Sequence, residues 1–314
     1  MMNNKEEVEK KIAEKIAQLQ QRYAQDQQDI TVYLDGLYRS KYLSYWEYIK
    51  LETLLTLQST QTNYPDEKIF VVFHQSTELY FNLILDEIKN IAEHSNITAS
   101  YLITKLKRIN RYLELVNSSF EIMIHEMSNE EFVAFRSALF PSSGFQSIQY
   151  RKIEVCATDI ENLIDPEVRA NMAFGLDVEQ ALNNIYWKRG ATEKATGMPS
   201  LTVRQFESKY SAELLSTAQH YKDKNIWKRY VQVIKKEGPN GDIDDEMRRL
   251  DHNFNVQFAL AHLKAAVRHL KNASSTGGTN WQKYLPPRFQ KTIFFPDLWT
   301  AEEIESWGRE YVYS

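Results

Sequence analysis

The sequence predicts an all-α protein, and three observations support this fold class. Only 10 of the 314 residues are Gly and 8 are Pro, which is few for a chain built from tight turns. Apolar residues recur every three or four positions over several long segments, as they do on one face of a helix. No internal repeat or break in composition marks a boundary, so we expect one all-helical domain over residues 1–314.

The first half of the chain predicts four helices. Residues 5–27 carry a narrow apolar stripe among Glu, Lys and Gln, which is typical of a helix that packs on a partner subunit or on its own domain. An aromatic segment leads into a second helix over 46–58, and the polar residues 59–65 form a loop. Asp66 is the expected N-cap of a third helix through residue 94. Unbroken three- and four-residue spacing predicts the fourth, over 98–127.

The second half predicts shorter helices and one long one. They are expected over residues 129–139, 147–164, 203–216, 219–236 and 243–272, with a mixed region over 165–200. The capping-box pattern from Ser128 to Glu131 begins the first of them, and Pro141 to Gly144 ends it. The last helix carries an apolar stripe from Ile243 to Ala265.

Composition and charge exclude several classes of function. The formal net charge of −4 gives no basic excess, so no nucleic-acid partner is expected. The single cysteine, Cys156, excludes a disulfide framework and any multi-cysteine metal site, and it favours a reducing cytoplasm. No stretch approaches the roughly 18 apolar residues of a membrane span, so no membrane association is expected.

Histidines are the main candidates for a functional site. Five of the seven lie at predicted helix ends or among polar residues, where a solvated role is expected: 94, 125, 220, 252 and 269. His74 and His262 instead lie on the apolar stripes of two long helices. A single histidine in that position is more often a hydrogen-bonded core residue than a ligand. Two of them on separate core helices favour a shared site.

The residue inventory permits heme and disfavours other metals. Zinc normally needs three or four Cys, His or carboxylate ligands, and no zinc-binding motif is present. A paired Glu-x-x-His iron site needs that motif twice, and no second copy appears. His262 and His269 are two helical turns apart, roughly 10 Å, which is too far for one ion. Heme needs only one protein ligand and suits an aromatic helical bundle.

Arg136 is the strongest candidate for binding an anionic ligand. It follows Phe132 and Phe135 at the end of a short helix. A guanidinium among aromatic side chains is suited to a bidentate grip on a carboxylate, although an internal ion pair is an equal alternative. The loop Thr276-Gly-Gly-Thr279 is either a flexible connection or a place where backbone approaches a ligand closely.

Three blocks of sequence together resemble the tryptophan 2,3-dioxygenase family. They are FHQSTEL at 73–79, FRSALFPSSGFQSIQYRKIE at 135–154, and TGGT at 276–279, which begins fourteen positions after His262. YWEYIKLETLLTLQ at 45–58 and FFPDLW at 294–299 also match the family pattern. The resemblance therefore spans about residues 42–300.

The resemblance implies a role for each matching residue. His262 is implied to be the axial ligand of the iron of heme b, and His74 the catalytic histidine that faces the substrate's indole N–H. Arg136 is implied to clamp the substrate carboxylate. The other implied substrate-binding residues are Phe70, Phe132, Ser143 and Thr276, together with Tyr45, Tyr48 and Ile49, which would complete the pocket of a neighbouring subunit.

The resemblance also implies a reaction and an assembly. With ferrous heme, O2 would add across the indole C2–C3 bond of L-tryptophan to give N-formyl-L-kynurenine, a step of tryptophan catabolism in the kynurenine pathway. The implied fold is a helical bundle with a buried heme pocket. Its N-terminal helices would be exchanged with a neighbouring subunit of a homotetramer, with residues 1–40 as the oligomerisation segment.

Some positions depart from the family pattern and leave alternatives open. Phe132 stands where the family commonly has Tyr, the residues before His262 are FNVQFALA, and the glycine loop continues as NWQ. One alternative is a heme-dependent oxygenase or hydroxylase of a substituted indole or of tyrosine. The other is a non-catalytic heme-binding protein, which would have no need of the carboxylate clamp at Arg136.

Overall fold

A computed structural model of the chain describes residues 2–170, 177–190, 198–270 and 285–309. The described residues are mostly helical and contain no β-strand, and Ile164 and Ile185 form an isolated bridge. This confirms the predicted all-α fold class. Within the same ranges, no helix has the length and apolar character that crossing a lipid bilayer requires.

Contacts divide the chain into two compact units, Met1–Leu57 and Gln58–Ser314. The first unit contains the helices α1 (Met2–Gln25), α2 (Ile30–Arg39), α3 (Tyr45–Ile49) and α4 (Leu51–Leu54). The helix expected over 46–58 is shorter and interrupted, because Lys50 adopts a left-handed conformation (φ 55°) between α3 and α4. The prediction of a single domain over 1–314, with an oligomerisation segment at 1–40, stays a prediction.

The second unit contains the longer helices. They are α5 (Pro65–Glu93), α6 (Ala99–Glu121), α7 (Asn129–Phe135), α8 (Ile148–Ala157), α9 (Pro166–Ala170), α10 (Val178–Asn183), α11 (Tyr186–Gly190), α12 (Leu201–Tyr221), α13 (Ile226–Glu237), α14 (Gly241–His252), α15 (Phe258–Leu270), α16 (Pro287–Gln290) and α17 (Ala301–Glu305). Short 3₁₀ segments cover Arg136–Leu139, Gly144–Gln146, Ile160–Leu163 and Pro296–Leu298. The two helices expected over 203–216 and 219–236 are displaced, since α12 runs unbroken through residue 221.

The core of the second unit is formed mainly by the apolar stripes of α5, α6 and α14. The predicted stripe of α6 is fully buried at Leu102, Leu106, Ile109, Leu113 and Val116, which are all 0% exposed. Each buried side chain of this size stabilises the fold by about 1.5–3 kcal/mol. Through these stripes α5 and α6 pack against the segment that follows α14, where Phe258 contacts both Phe81 and Phe120.

Two π-helical turns interrupt the long helices. One, Ile122–Glu126, follows α6, and the other, Asn253–Gln257, joins α14 to α15. The helix expected over 243–272 is therefore a continuous helix from Gly241 to Leu270 with a π-turn at its centre. Turns of this type are rare and often lie at functional sites.

Candidate active site

His74 lies on the inner face of α5 in a fixed orientation. Its Nδ1 lies 2.8 Å from the carbonyl oxygen of Phe70, one turn earlier. A carbonyl can only accept, so Nδ1 carries the proton and Nε2 is left as an acceptor. Burial lowers the pKa of His74, more than its bond to Phe70 and the charge of Glu78 raise it. The ring is therefore neutral at neutral pH and presents a free lone pair.

His262 lies on α15. Its side chain is accessible to solvent, yet desolvation by the surrounding protein atoms lowers its pKa to about 4, with a further contribution from the charge of His74. Among the described residues, neither ring nitrogen has a hydrogen-bond partner. A neutral imidazole with a free nitrogen is what a metal ion requires of histidine.

Aromatic rings connect the two histidines. Phe120 of α6 lies 6.1 Å from the ring of His262 and 4.9 Å from that of Phe73, whose ring is 5.2 Å from His74. Phe258 lies one turn before His262, with 6.4 Å between ring centroids. The structure thus brings His74 and His262 to one aromatic-lined region.

Helix α7 packs on α5 beside His74. The Ser128 backbone N–H donates to Asp66 Oδ2 at 2.6 Å, and the Asp66 backbone N–H donates to Glu131 Oε2 at 3.0 Å. Asp66 is thus in the first turn of α5 and links two helices, while Tyr64 occupies the N-cap position where Asp66 was expected. The reciprocal pair fixes the register of α7 against α5.

This register places further predicted residues near His74. The ring of Phe70 is 4.1 Å from His74 and 6.1 Å from Phe132, and fully buried Phe135 lies 5.9 Å from Phe70. Arg136 follows directly, at the junction of α7 with a 3₁₀ turn, and is half-buried. The aromatic wall and the guanidinium therefore belong to one short segment.

Ser143 lies in a tight turn that precedes α8. Its hydroxyl accepts a hydrogen bond from Phe145 N at 3.3 Å, and its own backbone N–H donates to Gln146 Oε1 at 3.2 Å. The turn follows a cis peptide bond between Phe140 and Pro141. These local bonds hold the half-buried Ser143 in one conformation.

A buried ion pair behind this turn was not predicted. Arg151 donates to both carboxylate oxygens of Glu154, at 2.9 and 3.1 Å, and Tyr186 donates to the same carboxylate at 2.5 Å. The guanidinium also lies 5.0 Å from the ring of Phe145 and 5.1 Å from that of Trp187. The cluster packs the Ser143 turn against α8 and α11. Its sequence signal was limited to the motif QYRKIE, which does not reveal the partner Tyr186.

Asp251 is a second buried group that was not predicted. Its carboxylate accepts four hydrogen bonds: from the backbone N–H groups of Phe294 and Phe295, from the indole N–H of Trp299, and from the amide of Asn255. Desolvation nevertheless raises its pKa to about 6. Asp251 therefore ties the C-terminal segment FFPDLW to the helix that carries His262.

His269 corrects one expectation. It was expected to be solvated near a helix end, but it is 4% exposed. Its Nε2 lies 2.5 Å from the carbonyl oxygen of Met123, and its ring is 4.8 Å from Phe132. The reason is packing between segments distant in sequence, because the π-turn Ile122–Glu126 and α7 cover the end of α15.

The remaining predicted site residues belong to the first unit or lie outside the described residues. Tyr45 and Tyr48 belong to α3 of the first unit, where they are 70% and 76% exposed, and Ile49 is half-buried. Thr276 and the loop 276–279 lie outside the described residues. Cys156, expected to be inert core, is buried, and burial raises the pKa of its thiol.

Comparisons with a family model and with individual known proteins agree on one family. A family model described as tryptophan 2,3-dioxygenase matches residues 36–237, a range that includes His74, Arg136 and Ser143 and ends before His262. The chain is 29% identical over 271 residues to a tryptophan 2,3-dioxygenase of Ruegeria sp. (strain TM1040), covering 82% of this chain and 91% of that protein. Proteins of the same name from Bacillus anthracis (27% identity over 272 residues) and Pseudomonas fluorescens (26% over 266 residues) match 82% of this chain and 91% and 89% of their own lengths.

Proposed function

The chain belongs to the tryptophan 2,3-dioxygenase family, and from this premise we propose that it adds both atoms of O2 across the indole C2–C3 bond of L-tryptophan, with a heme held by His262. The product is N-formyl-L-kynurenine, which places the enzyme in tryptophan catabolism. The observation that carries the proposal is the pair His74 and His262 in one aromatic-lined region, each neutral and each on a separate core helix.

The residues present fit a heme. His262 has an accessible ring, a pKa of about 4 and no hydrogen-bond partner among the described residues, so a nitrogen is free to ligate iron at neutral pH. The aromatic rings of Phe73, Phe120 and Phe258 provide the apolar surroundings that a porphyrin needs. When bound, the heme iron supplies the binding and activation of O2.

His74 orients the indole ring. Its Nδ1–H is committed to the carbonyl oxygen of Phe70, so Nε2 accepts a hydrogen bond from the indole N–H of the substrate. Because burial keeps the ring neutral, this acceptor is retained over the physiological pH range. Phe70 and Phe132 form an apolar wall beside it, which excludes water from the indole.

Arg136 holds the amino-acid end of the substrate. Its guanidinium follows the buried Phe135, where a planar pair of N–H donors binds a carboxylate bidentately. Ser143 offers a hydroxyl from the adjoining turn, and Thr276 is proposed to contact the substrate's ammonium and carboxylate groups. Positioning of both ends brings the C2–C3 bond to the site of oxygen activation.

We further propose that the enzyme is a cytoplasmic homotetramer. Tyr45, Tyr48 and Ile49 would complete the pocket of a neighbouring subunit, and the exposure of the two tyrosines leaves them available for such a contact. A lone buried cysteine, Cys156, fits a reducing compartment.

The test is substrate turnover by hemin-loaded, reduced protein in air. We expect L-tryptophan to be consumed and N-formyl-L-kynurenine to accumulate, as identified by mass. D-Tryptophan is the matched control, since it presents the same indole with a misplaced carboxylate. Absence of product from L-tryptophan, with turnover of another aromatic compound, would overturn the assignment of substrate.

A second candidate substrate is a substituted indole, and one observation favours it. Phe132 has no hydroxyl, so the wall it forms with Phe70 is apolar where the family commonly has Tyr. A wall without a hydrogen-bonding group discriminates weakly against an added methyl group. The ratio of kcat/KM for L-tryptophan and for a ring-methylated analogue decides between the two substrates.

A further inference from the structure

The helix that carries His262 contains one residue more than an α-helix needs to bring this histidine to the face of Ile243. Ile243, at the start of that helix, is 0% exposed, and His262 lies 19 positions later. Five turns of α-helix take about 18 residues, at 3.6 residues per turn. In an uninterrupted α-helix, His262 would be rotated by about 100° from the face of Ile243.

The π-turn Asn253–Gln257 absorbs the additional residue. Its hydrogen bond runs from Phe258 N to Asn253 O, an i→i+5 pairing that takes about one residue more than an α-helical turn. Each residue after the turn therefore has the rotation about the helix axis that the preceding residue would have in an uninterrupted α-helix. This shift returns His262 to the face of Ile243.

The burial of residues 268 and 269 follows the shifted phase. An uninterrupted α-helix would place Arg268 within about 20° of the face of Ile243. Arg268 is exposed, however, and its neighbour His269 is 4% exposed. The one-residue shift puts His269 where Arg268 would have been. The burial pattern and the hydrogen bonding thus report the same rotation independently.

Neighbouring side chains hold the π-turn in place. Asn117 of α6 donates its amide to the Asn253 carbonyl oxygen at 3.1 Å. The amide of Asn255 donates to Asp251 at 2.8 Å, and Phe254 stacks on Tyr150 with 4.4 Å between ring centroids. The turn is thus fixed from α6, α8 and α14, all elements of the core.

We propose that the π-turn sets the rotation of His262 toward the heme, and that Asn117 is a positioning residue that maintains the turn. The inference rests on the proposed function, because it takes His262 as the iron ligand. It goes further because it assigns the rotation of His262 to the number of residues between Ile243 and this histidine. What His262 requires is the phase of the helix and not any one side chain of the turn.

Two variants of chain length at one place test this count. Deletion of Gln257, a half-buried residue of the turn, leaves five α-helical turns between Ile243 and the histidine. Insertion of one Ala after Gln257 adds a residue that an otherwise intact helix cannot absorb, which turns the histidine by about 100°. After titration with hemin, we expect the deletion variant to keep the Soret band of the wild type. The insertion variant should give the band of His262→Ala.

The controls separate this inference from the proposed function. Far-UV circular dichroism of the heme-free proteins checks that each variant is folded. If His262→Ala keeps the wild-type Soret band, the ligand assignment is wrong and the inference fails with it. If His262→Ala loses that band and the folded deletion variant loses it too, the inference alone is overturned. Retention of the band by a folded insertion variant would also overturn it.

A variant of unchanged length covers the case in which neither length variant folds. Asn117→Asp has the shape of the native residue but lacks the N–H that binds Asn253 O. We expect the affinity for hemin to fall about tenfold, as for other groups that orient a metal ligand. Asn183→Asp, at the exposed end of α10, is the matched control and should bind as the wild type does. Equal affinity of the two variants would contradict the role of Asn117.

Discussion

The part of the candidate site around His74, which we call the distal side, and the part around His262, the proximal side, are held in place by different means. The distal side consists of α5, α7 and the Ser143 turn, which are separate segments joined by side-chain hydrogen bonds such as the pair between Asp66 and Ser128. The proximal side is one continuous helix, α14 to α15, with a π-turn at its centre and a buried carboxylate, Asp251, at its flank. Separate segments allow each substrate contact to be changed alone. In a continuous helix, a local change affects the ligand and the fold together.

The largest effect is expected at the proximal ligand. His262→Ala removes the nitrogen proposed to bind iron, so the His-ligated Soret band and all turnover should be lost while the distal residues stay in place. Absorption spectra and product formation measure both. His220→Ala, at an exposed position of α12, is the control and should behave as the wild type. A wild-type spectrum in His262→Ala would show that His262 is not the iron ligand, and the proximal side would then have no separate role.

The next effect concerns stability of the proximal side and depends on pH. The pKa of Asp251 is about 6 in the folded chain, against 3.8 for an unperturbed aspartate, so the folded state binds more protons between these values. The stability contributed by this group is therefore greatest below pH 4 and is lost as the pH rises through about 6. Two pKa units correspond to about 3 kcal/mol.

Asp251→Asn checks this sign, because the amide does not titrate. The free energy of unfolding of the heme-free wild type, minus that of the variant, should fall by up to about 3 kcal/mol from pH 4 to pH 7 and level off above that. Urea unfolding at several pH values gives this difference. A difference that is constant would show that the four N–H donors balance burial, and one that grows with pH would show that they outweigh it.

On the distal side, Arg136→Leu should lower kcat/KM for L-tryptophan by about 100-fold, since removing one partner of a desolvated charge pair typically costs 2–5 kcal/mol. The heme spectrum should not change, because the proximal helix is untouched. Arg204→Leu, at an exposed position of α12, is the matched control for loss of an arginine. Steady-state kinetics equal to the wild type would refute the carboxylate clamp.

The smallest effect is expected at His74. His74→Ala removes one hydrogen bond to the indole N–H and should lower kcat/KM by about tenfold, the value of a single such bond. An indole analogue methylated on the ring nitrogen cannot donate this bond, so its kcat/KM should be nearly equal in the variant and the wild type. If the variant loses as much activity with the methylated analogue, His74 acts in another way.

The distal side could be predicted from the sequence better than the proximal side. His74, Phe70 and the buried stripe of α5 follow a regular α-helical period, and the structure places them as that period predicts. His269 was expected to be solvated because it lies near a helix end among polar residues, but contacts with Met123 and Phe132, distant in sequence, bury it. A π-turn has no propensity signature in the chain, because it depends on partners such as Asn117, 136 positions away from Asn253.

Other features depended on contacts distant in sequence. Asp66 has the chemistry of an N-cap, but the proline before it begins the helix, and the carboxylate binds Ser128 instead. The ion pair of Arg151 with Glu154 is local, yet its third member, Tyr186, comes from another helix. Local patterns determine the helices, whereas these polar contacts between helices are decided by tertiary packing.

The central claim is tested most directly by turnover of L-tryptophan under ¹⁸O2. The account predicts that the N-formyl-L-kynurenine formed by hemin-loaded, reduced wild-type protein carries two ¹⁸O atoms, and that His262→Ala forms none. Mass spectrometry of the product, in water of natural isotopic composition and at short reaction times, counts the atoms. A product with one ¹⁸O atom would identify a hydroxylase, and an equal yield from His262→Ala would contradict the proximal ligand.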